Sequence, residues 1–148
     1  MRIWHKELLY ALPDKKVVEQ WRDCGTIARN IDMIGTPNHY LVNRVMDFPL
    51  SHLYTYSMNV IDEMKRRGFA VSTPSFINFE KHIFSAMSKC NDVQDFVDDQ
   101  VIFYTWHNDT YLWQCATILE EEHDCGAIND EEWDRIEDTC RMFAYPWE

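Results

Sequence analysis

No stretch of this chain approaches the ~20 consecutive apolar residues that a bilayer-spanning helix needs, so neither a membrane span nor a membrane partner is expected. The start of the chain lacks the apolar core of a secretory signal. The expected location is therefore the cytoplasm, that of the host cell if the gene is carried by a phage. Five cysteines, at 24, 90, 115, 125 and 140, form no CxxC pair, and no histidine lies at zinc-finger spacing from them. The set is expected to stay reduced, with Cys115 and Cys140 as small core residues. No metal and no other cofactor is called for. There is no internal repeat, low-complexity linker or composition break, so residues 1–148 are expected to form a single domain.

Positive charge is the other scarcity, and it is local. Residues 1–89 hold 12 Lys/Arg against 9 Asp/Glu, whereas residues 90–148 hold 2 against 16. A net charge of −11 thus hides a half at +3 and a half at −14. A duplex-binding protein depends on a cationic footprint and counterion release. The acidic part, whose helices begin at about residue 92, reads as a cover or an appended face.

What is abundant is hydrophobic and aromatic side chains, 46% and 14% of the chain, which argues for a packed core. The periodicity predicts an all-α fold of about six helices, with the N-terminal segment threaded between them. Pro13 suits the first position of a helix bearing Val17, Val18 and Trp21, and Gly25 suits its end; TIARNID is then a short helix or turn. Gly35, Thr36 and Pro37 predict a stop and a new start, with YLVNRVMDF as helix up to Pro49. A helix from about Leu50 to Arg67 carries Leu53, Val60, Ile61 and Met64 at helical spacing, with Gly68 as its C′ residue. FINFEKHIFSAMSK reads as helix, NDVQDFVDD as a short acidic helix or loop, and VIFYTW as the single strand-like run. Asn108 caps a further helix that Gly126 ends, and Asn129 with Glu132 makes a capping-box pair for a last one.

The chemistry concentrates at the start. Met1 brings an α-amine, Arg2 follows it, and Arg22 and Asp23 sit side by side on the first helix. An α-amine is a weaker base than a lysine side chain, so more of it is an unprotonated nucleophile near neutral pH. Met followed by the bulky Arg2 is expected to remain in place. Amine, guanidinium groups and carboxylate together suit Schiff-base chemistry on a sugar aldehyde, or capture of a phosphate. Against this, every chain has an α-amine, and Asp23 could equally be a surface carboxylate paired with a neighbouring cation.

The segments MRIWH, EQWRDC, GTPNHYLVNRVMDFPLSHLYTY, DEMKRRGF and YTWHNDTYLWQC carry a resemblance running in order from residue 1 to about 120. In them the chain resembles the pyrimidine dimer DNA glycosylases of the phage endonuclease V type. The resemblance implies that the Met1 amine attacks C1′ of a damaged nucleotide, that the base leaves as an imine forms, and that Asp23 promotes strand cleavage by β-elimination. Asp23 stands where the family has Glu, one methylene longer, and a displacement of ~1 Å can cost on the order of 100-fold in rate. Arg2 and Arg22 match positions that contact DNA around the lesion. Trp4, His5, Trp21 and His107 match aromatics or histidines, read either as stacking on a base or as core packing. His39 reads as a structural histidine.

Three functions follow. One is a glycosylase and abasic-site lyase on damaged DNA through Met1 and Asp23. The second is a phage binding module that sequesters a small phosphorylated nucleotide, a cyclic ADP-ribose-type or cyclic dinucleotide immune signal, through Arg2, Arg22 and the aromatics. The third is an acidic interaction protein or DNA mimic working through residues 92–138. A homodimer is left open.

Overall fold

The computed structural model describes residues 1–92 and 96–143. They form five helices: α1 (Asp14–Ile34), α2 (Leu50–Arg66), α3 (Thr73–Lys89), α4 (Asp109–Asp124) and α5 (Asp130–Arg141). Single 3₁₀ turns occupy Asn43–Asp47 and Asp99–Val101, and the described residues contain no strand. Helices α1, α2 and α3 pack on one another, and α5 pairs with α4. No helix among the described residues is long and apolar enough to cross a membrane. All five thiols are free; Cys24, Cys115 and Cys140 are buried.

The first thirteen residues run through the core rather than over it. Ile3, Leu8, Leu9 and Leu12 are fully buried. A buried extended segment must find partners for its peptide groups, and here side chains provide them. Gln20 on α1 accepts the Trp4 N–H at 2.8 Å and donates to the Arg2 carbonyl at 2.8 Å. Tyr56 on α2 donates to the Trp4 carbonyl at 2.7 Å, and the Tyr111 hydroxyl on α4 donates to the Ile3 carbonyl. The Lys6 N–H donates to Nδ1 of His107 at 2.9 Å. Three helices are thus tied to one strand-like segment that finds no strand to pair with among the described residues.

Three local expectations are corrected. Gly25 does not end α1: the helix runs on to Ile34, and Gly35, with φ of 78°, takes the left-handed position after it. The apolar stripe explains this, since Val17, Trp21, Cys24, Ile27, Ala28 and Ile31 are all buried at helical spacing. Their burial outweighs the ~1 kcal/mol that one interior glycine costs. YLVNRVMDF is not a full helix; only Asn43–Asp47 forms a 3₁₀ turn. Asn38 adopts φ of 59°, its N–H donates to Thr36 Oγ1, and the His39 N–H donates to Asn43 Oδ1, so side chains compete with the helical bonds. VIFYTW is not extended: Phe103 has φ of 49°, and the N–H groups of Trp106 and His107 both donate to its carbonyl. With no second strand among the described residues, the run satisfies its peptides by turning and buries Ile102, Phe103 and Trp106. Of the acidic NDVQDFVDD run, residues 93–95 lie outside the described residues, and Asp98 caps the short turn that follows.

The caps at the other end agree with the sequence. Asn129 and Glu132 exchange both bonds of a capping box, at 2.8 and 3.0 Å. Asn108 caps α4 through the Tyr111 N–H at 2.9 Å.

The continuity of α1 is directly testable. A Cβ added at Gly25 meets nothing within 4 Å. Gly25→Ala is therefore expected to stabilise the protein by about 0.5–1 kcal/mol, raising Tm by roughly 2 °C in a calorimetric scan. A fall in Tm would mean that α1 ends at Gly25.

Candidate active site at the start of the chain

The clamp on the N-terminal segment decides where the chain begins. With Arg2 and Trp4 held by Gln20, Met1 lies at the mouth of a groove of about 280 Å³ between α1 and α4. Its walls include Arg2, Trp4, Lys16, Asp23 and Glu122. The Arg2 N–H donates to Asp23 Oδ2 at 3.3 Å, which places the α-amine, one residue upstream, beside that carboxylate. Burial raises the Asp23 pKa above the usual carboxylate range, while the Arg2 N–H and the amine pull it down. A half-buried carboxyl of this kind is a better proton acceptor than a free surface one.

Trp4 forms the floor. Its ring lies under the Arg2 guanidinium, 5.3 Å from the centroid, and the Lys16 ammonium, 5.2 Å away. Such cation–π contacts hold long side chains over a ring without consuming their N–H donors. Lys16, however, is already engaged: its ammonium lies 2.8 and 2.9 Å from the two oxygens of Glu122. Glu19 lines the groove as well. Three cationic groups, the amine, Arg2 and Lys16, therefore face three carboxylates, Glu19, Asp23 and Glu122. The acidic half of the molecule reaches into the groove through one carboxylate of α4, that of Glu122.

The site residues expected from the sequence do not all meet. Met1, Arg2, Trp4 and Asp23 share the groove. Arg22 and Trp21 line a separate cleft of about 480 Å³ between α1 and α3. Consecutive helical residues are rotated by 100°, so neighbours in sequence open onto different faces. His5 and His107 line neither concavity; they stack on each other in the core with ring centroids 5.0 Å apart. His39 stacks on Tyr40 at 5.1 Å. Sequence reasoning missed Gln20, Lys16 and Glu122. Gln20 stood in the EQWRDC segment but showed no chemistry of its own, and Glu122 was one of three consecutive glutamates.

The buried histidines share a single arrangement. Nδ1 of His5 accepts the Glu7 N–H at 3.1 Å, Nδ1 of His52 that of Phe103 at 3.0 Å, and Nδ1 of His107 that of Lys6. An accepting nitrogen has no room for a proton, so each ring is held neutral. Burial pushes His5 down to about 4, His107 well below its ordinary value, and His52 down as well. These pKa values are depressed by folding, so the unfolded chain takes up protons first. The stabilisation is whole above about pH 6.5 and is lost as pH falls toward the folded-state values. His5 alone accounts for on the order of 3 kcal/mol between about pH 6.5 and 4. Urea midpoints measured across that window should fall steadily, and His5→Gln should flatten the slope. A midpoint independent of pH from 6.5 to 4.5 would contradict the neutral cluster.

Among known proteins, a family model described as pyrimidine dimer DNA glycosylase matches residues 1–76. That stretch holds the clamped segment, α1, α2 and the start of α3. No curated protein and no solved structure matches the chain.

Proposed function

The chain belongs to the pyrimidine dimer DNA glycosylase family, and from that premise we propose that it acts on damaged DNA as a glycosylase and abasic-site lyase through the Met1 amine. The observation that carries this reading is the Arg2 N–H bond to Asp23, which sets an α-amine beside a half-buried carboxylate in an open groove. In the proposed reaction the unprotonated amine attacks C1′ of the damaged nucleotide. The C1′–N bond breaks, and the base leaves with its electron pair and takes up a proton. The amine sheds a proton and the sugar ring opens to give a C1′ imine. Asp23 then removes a proton from C2′, and the C3′–O bond breaks with the 3′ phosphate as leaving group. Water hydrolyses the imine and frees Met1.

The division of labour follows from the geometry. Arg2 presents its peptide N–H to Asp23 and its guanidinium to the groove mouth, where it suits a phosphate oxygen. Trp4 gives the groove an apolar floor that a sugar face can rest on. General acid–base help of this type is worth about 10²–10⁴-fold in rate.

Borohydride reduction in the presence of abasic-site DNA should trap a covalent adduct at Met1. One extra residue placed before Met1 should abolish trapping. Asp23→Asn should cut the strand-cleavage rate by about 100-fold or more while binding persists. Absence of any adduct at high protein concentration and low salt would remove the proposal.

The Lys16–Glu122 pair favours a second reading, in which the groove takes a small nucleotide and not a duplex. A carboxylate wall repels a long polyanion far more than a ligand with one or two phosphates. Salt dependence separates the two, because each phosphate neutralised by a cation contributes about one unit to the slope of log K against log salt. Glu122→Gln releases Lys16. For the DNA reading it should tighten duplex binding and steepen that slope by about one unit. An unchanged slope, together with negligible duplex affinity in both proteins, would favour the small ligand.

A further inference from the structure

The α1–α3 cleft lies apart from Met1 and takes no part in the chemistry above. Each wall is a single helical stripe. On α1, Arg22, Gly25, Thr26 and Arg29 follow one another at i, i+3, i+4 and i+7; on α3, Asn78 and His82 face them. Two packed helices normally close such a seam with apolar side chains. Here the space that a side chain at position 25 would fill is empty, with nothing within 4 Å of a Cβ built on Gly25. The recess reaches down to the buried rings of Trp21 and Phe79, whose centroids are 5.2 Å apart.

Two arginines, Arg22 and Arg29, stand at its rim. Carboxylates outnumber Lys and Arg by 25 to 14, and among the described residues several cations find one: Lys15 with Glu19, Lys16 with Glu122, Arg44 with Asp47, Arg66 and Arg67 with Glu63, Lys89 with Asp32. Arg22 and Arg29 have no ion-pair partner among the described residues. Seven residues apart on one helix, their backbones stand about 10.5 Å apart along its axis, a gap that two arginine side chains can close onto one phosphate. His82 is oriented from behind: its Nδ1 lies 2.8 Å from Asp32 Oδ2, and Lys89 holds the same carboxylate at 2.8 Å. That leaves the Nε2 edge of His82 as its free polar edge.

We infer that the α1–α3 cleft is a second ligand site, independent of the Met1 groove, for a phosphate ester of mononucleotide size. The guanidinium groups of Arg22 and Arg29 take the phosphate through paired N–H donors. Asn78 and His82 bond the edge of a planar group, whose face rests on the recess at Gly25. A cleft of about 480 Å³ has the size of a small-molecule site and is larger than a bare phosphate requires. The same chemistry could come from a free nucleotide or from one nucleotide of a strand.

Isothermal titration of the intact protein with deoxyadenosine 5′-monophosphate tests the site. Saturable one-to-one binding is expected, with inorganic phosphate and deoxyadenosine each weaker by about tenfold or more. Arg29→Ala should weaken the nucleotide by about tenfold. Gly25→Leu fills the recess with a better helix former, so it should lose binding while keeping or raising Tm. Arg2→Ala, which removes the guanidinium of the other groove, should bind the nucleotide as the unmodified protein does. A five-nucleotide single strand, titrated alongside, identifies the source. Affinity above that of the mononucleotide by about 100-fold, lost equally in Gly25→Leu, indicates a strand, and equal affinity indicates a free nucleotide; both support the cleft. No saturable binding at millimolar nucleotide, or binding that survives Gly25→Leu, would overturn the inference.

Discussion

The side-chain amide of Gln20 bonds the chain start on both sides of Ile3, accepting from the Trp4 N–H and donating to the Arg2 carbonyl. It does for this segment what a neighbouring strand would do in a sheet. A glutamate could not replace it, since one of the two bonds needs a donor. Tyr56 and Tyr111 complete the set by donating to the Trp4 and Ile3 carbonyls. Because these peptides are satisfied, Ile3 can sit in the core with no exposed surface. Because the segment is fixed there, the Arg2 N–H meets Asp23 and the α-amine opens onto a groove. Core, carboxylate and amine thus depend on one amide whose loss would leave buried peptide groups unpaired, a cost of about 1–3 kcal/mol for each.

Charge organises the molecule at a longer range. The acidic α4–α5 pair does not simply face away from the basic half, since Glu122 crosses to Lys16 and closes one wall of the Met1 groove. The groove is electrically balanced, and its Trp4 floor is cationic only where Arg2 and Lys16 overhang it. Arg22 and Arg29, which make no ion pair among the described residues, line the cleft on another face of α1. A single helix therefore separates two concavities of different character, one lined by the chain start, Lys16 and three carboxylates and one rimmed by two arginines.

The helices whose signals are local could be read from the sequence. The Asn129–Glu132 capping box, the Asn108 cap and the glycine after α2 all sit where the residue types demanded. Readings failed where distant contacts outweighed a local signal. Gly25 resembled a helix end until the burial of Ile27, Ala28 and Ile31 carried the helix past it. VIFYTW resembled a strand, but no other strand exists among the described residues to pair with it. The adjacency of Met1 to Asp23 was suggested by the family resemblance, not by periodicity. The parting of Arg22 from Asp23 is a consequence of the 100° step between helical neighbours. Residue type alone could not tell that His5 and His107 are buried acceptors, because their partners, Glu7 and Lys6, offer only backbone N–H groups.

The central claim is that the first four residues are built into the core, so that the α-amine is a positioned group and not a loose chain end. Native-state hydrogen exchange of the Trp4 amide tests it most directly. The Trp4 amide should be protected as well as the amides of the buried face of α1, exchanging only when the protein unfolds globally, and should lose that protection in Gln20→Ala. Exchange of the Trp4 amide at the rate of a free peptide, while α1 remains protected, would contradict it.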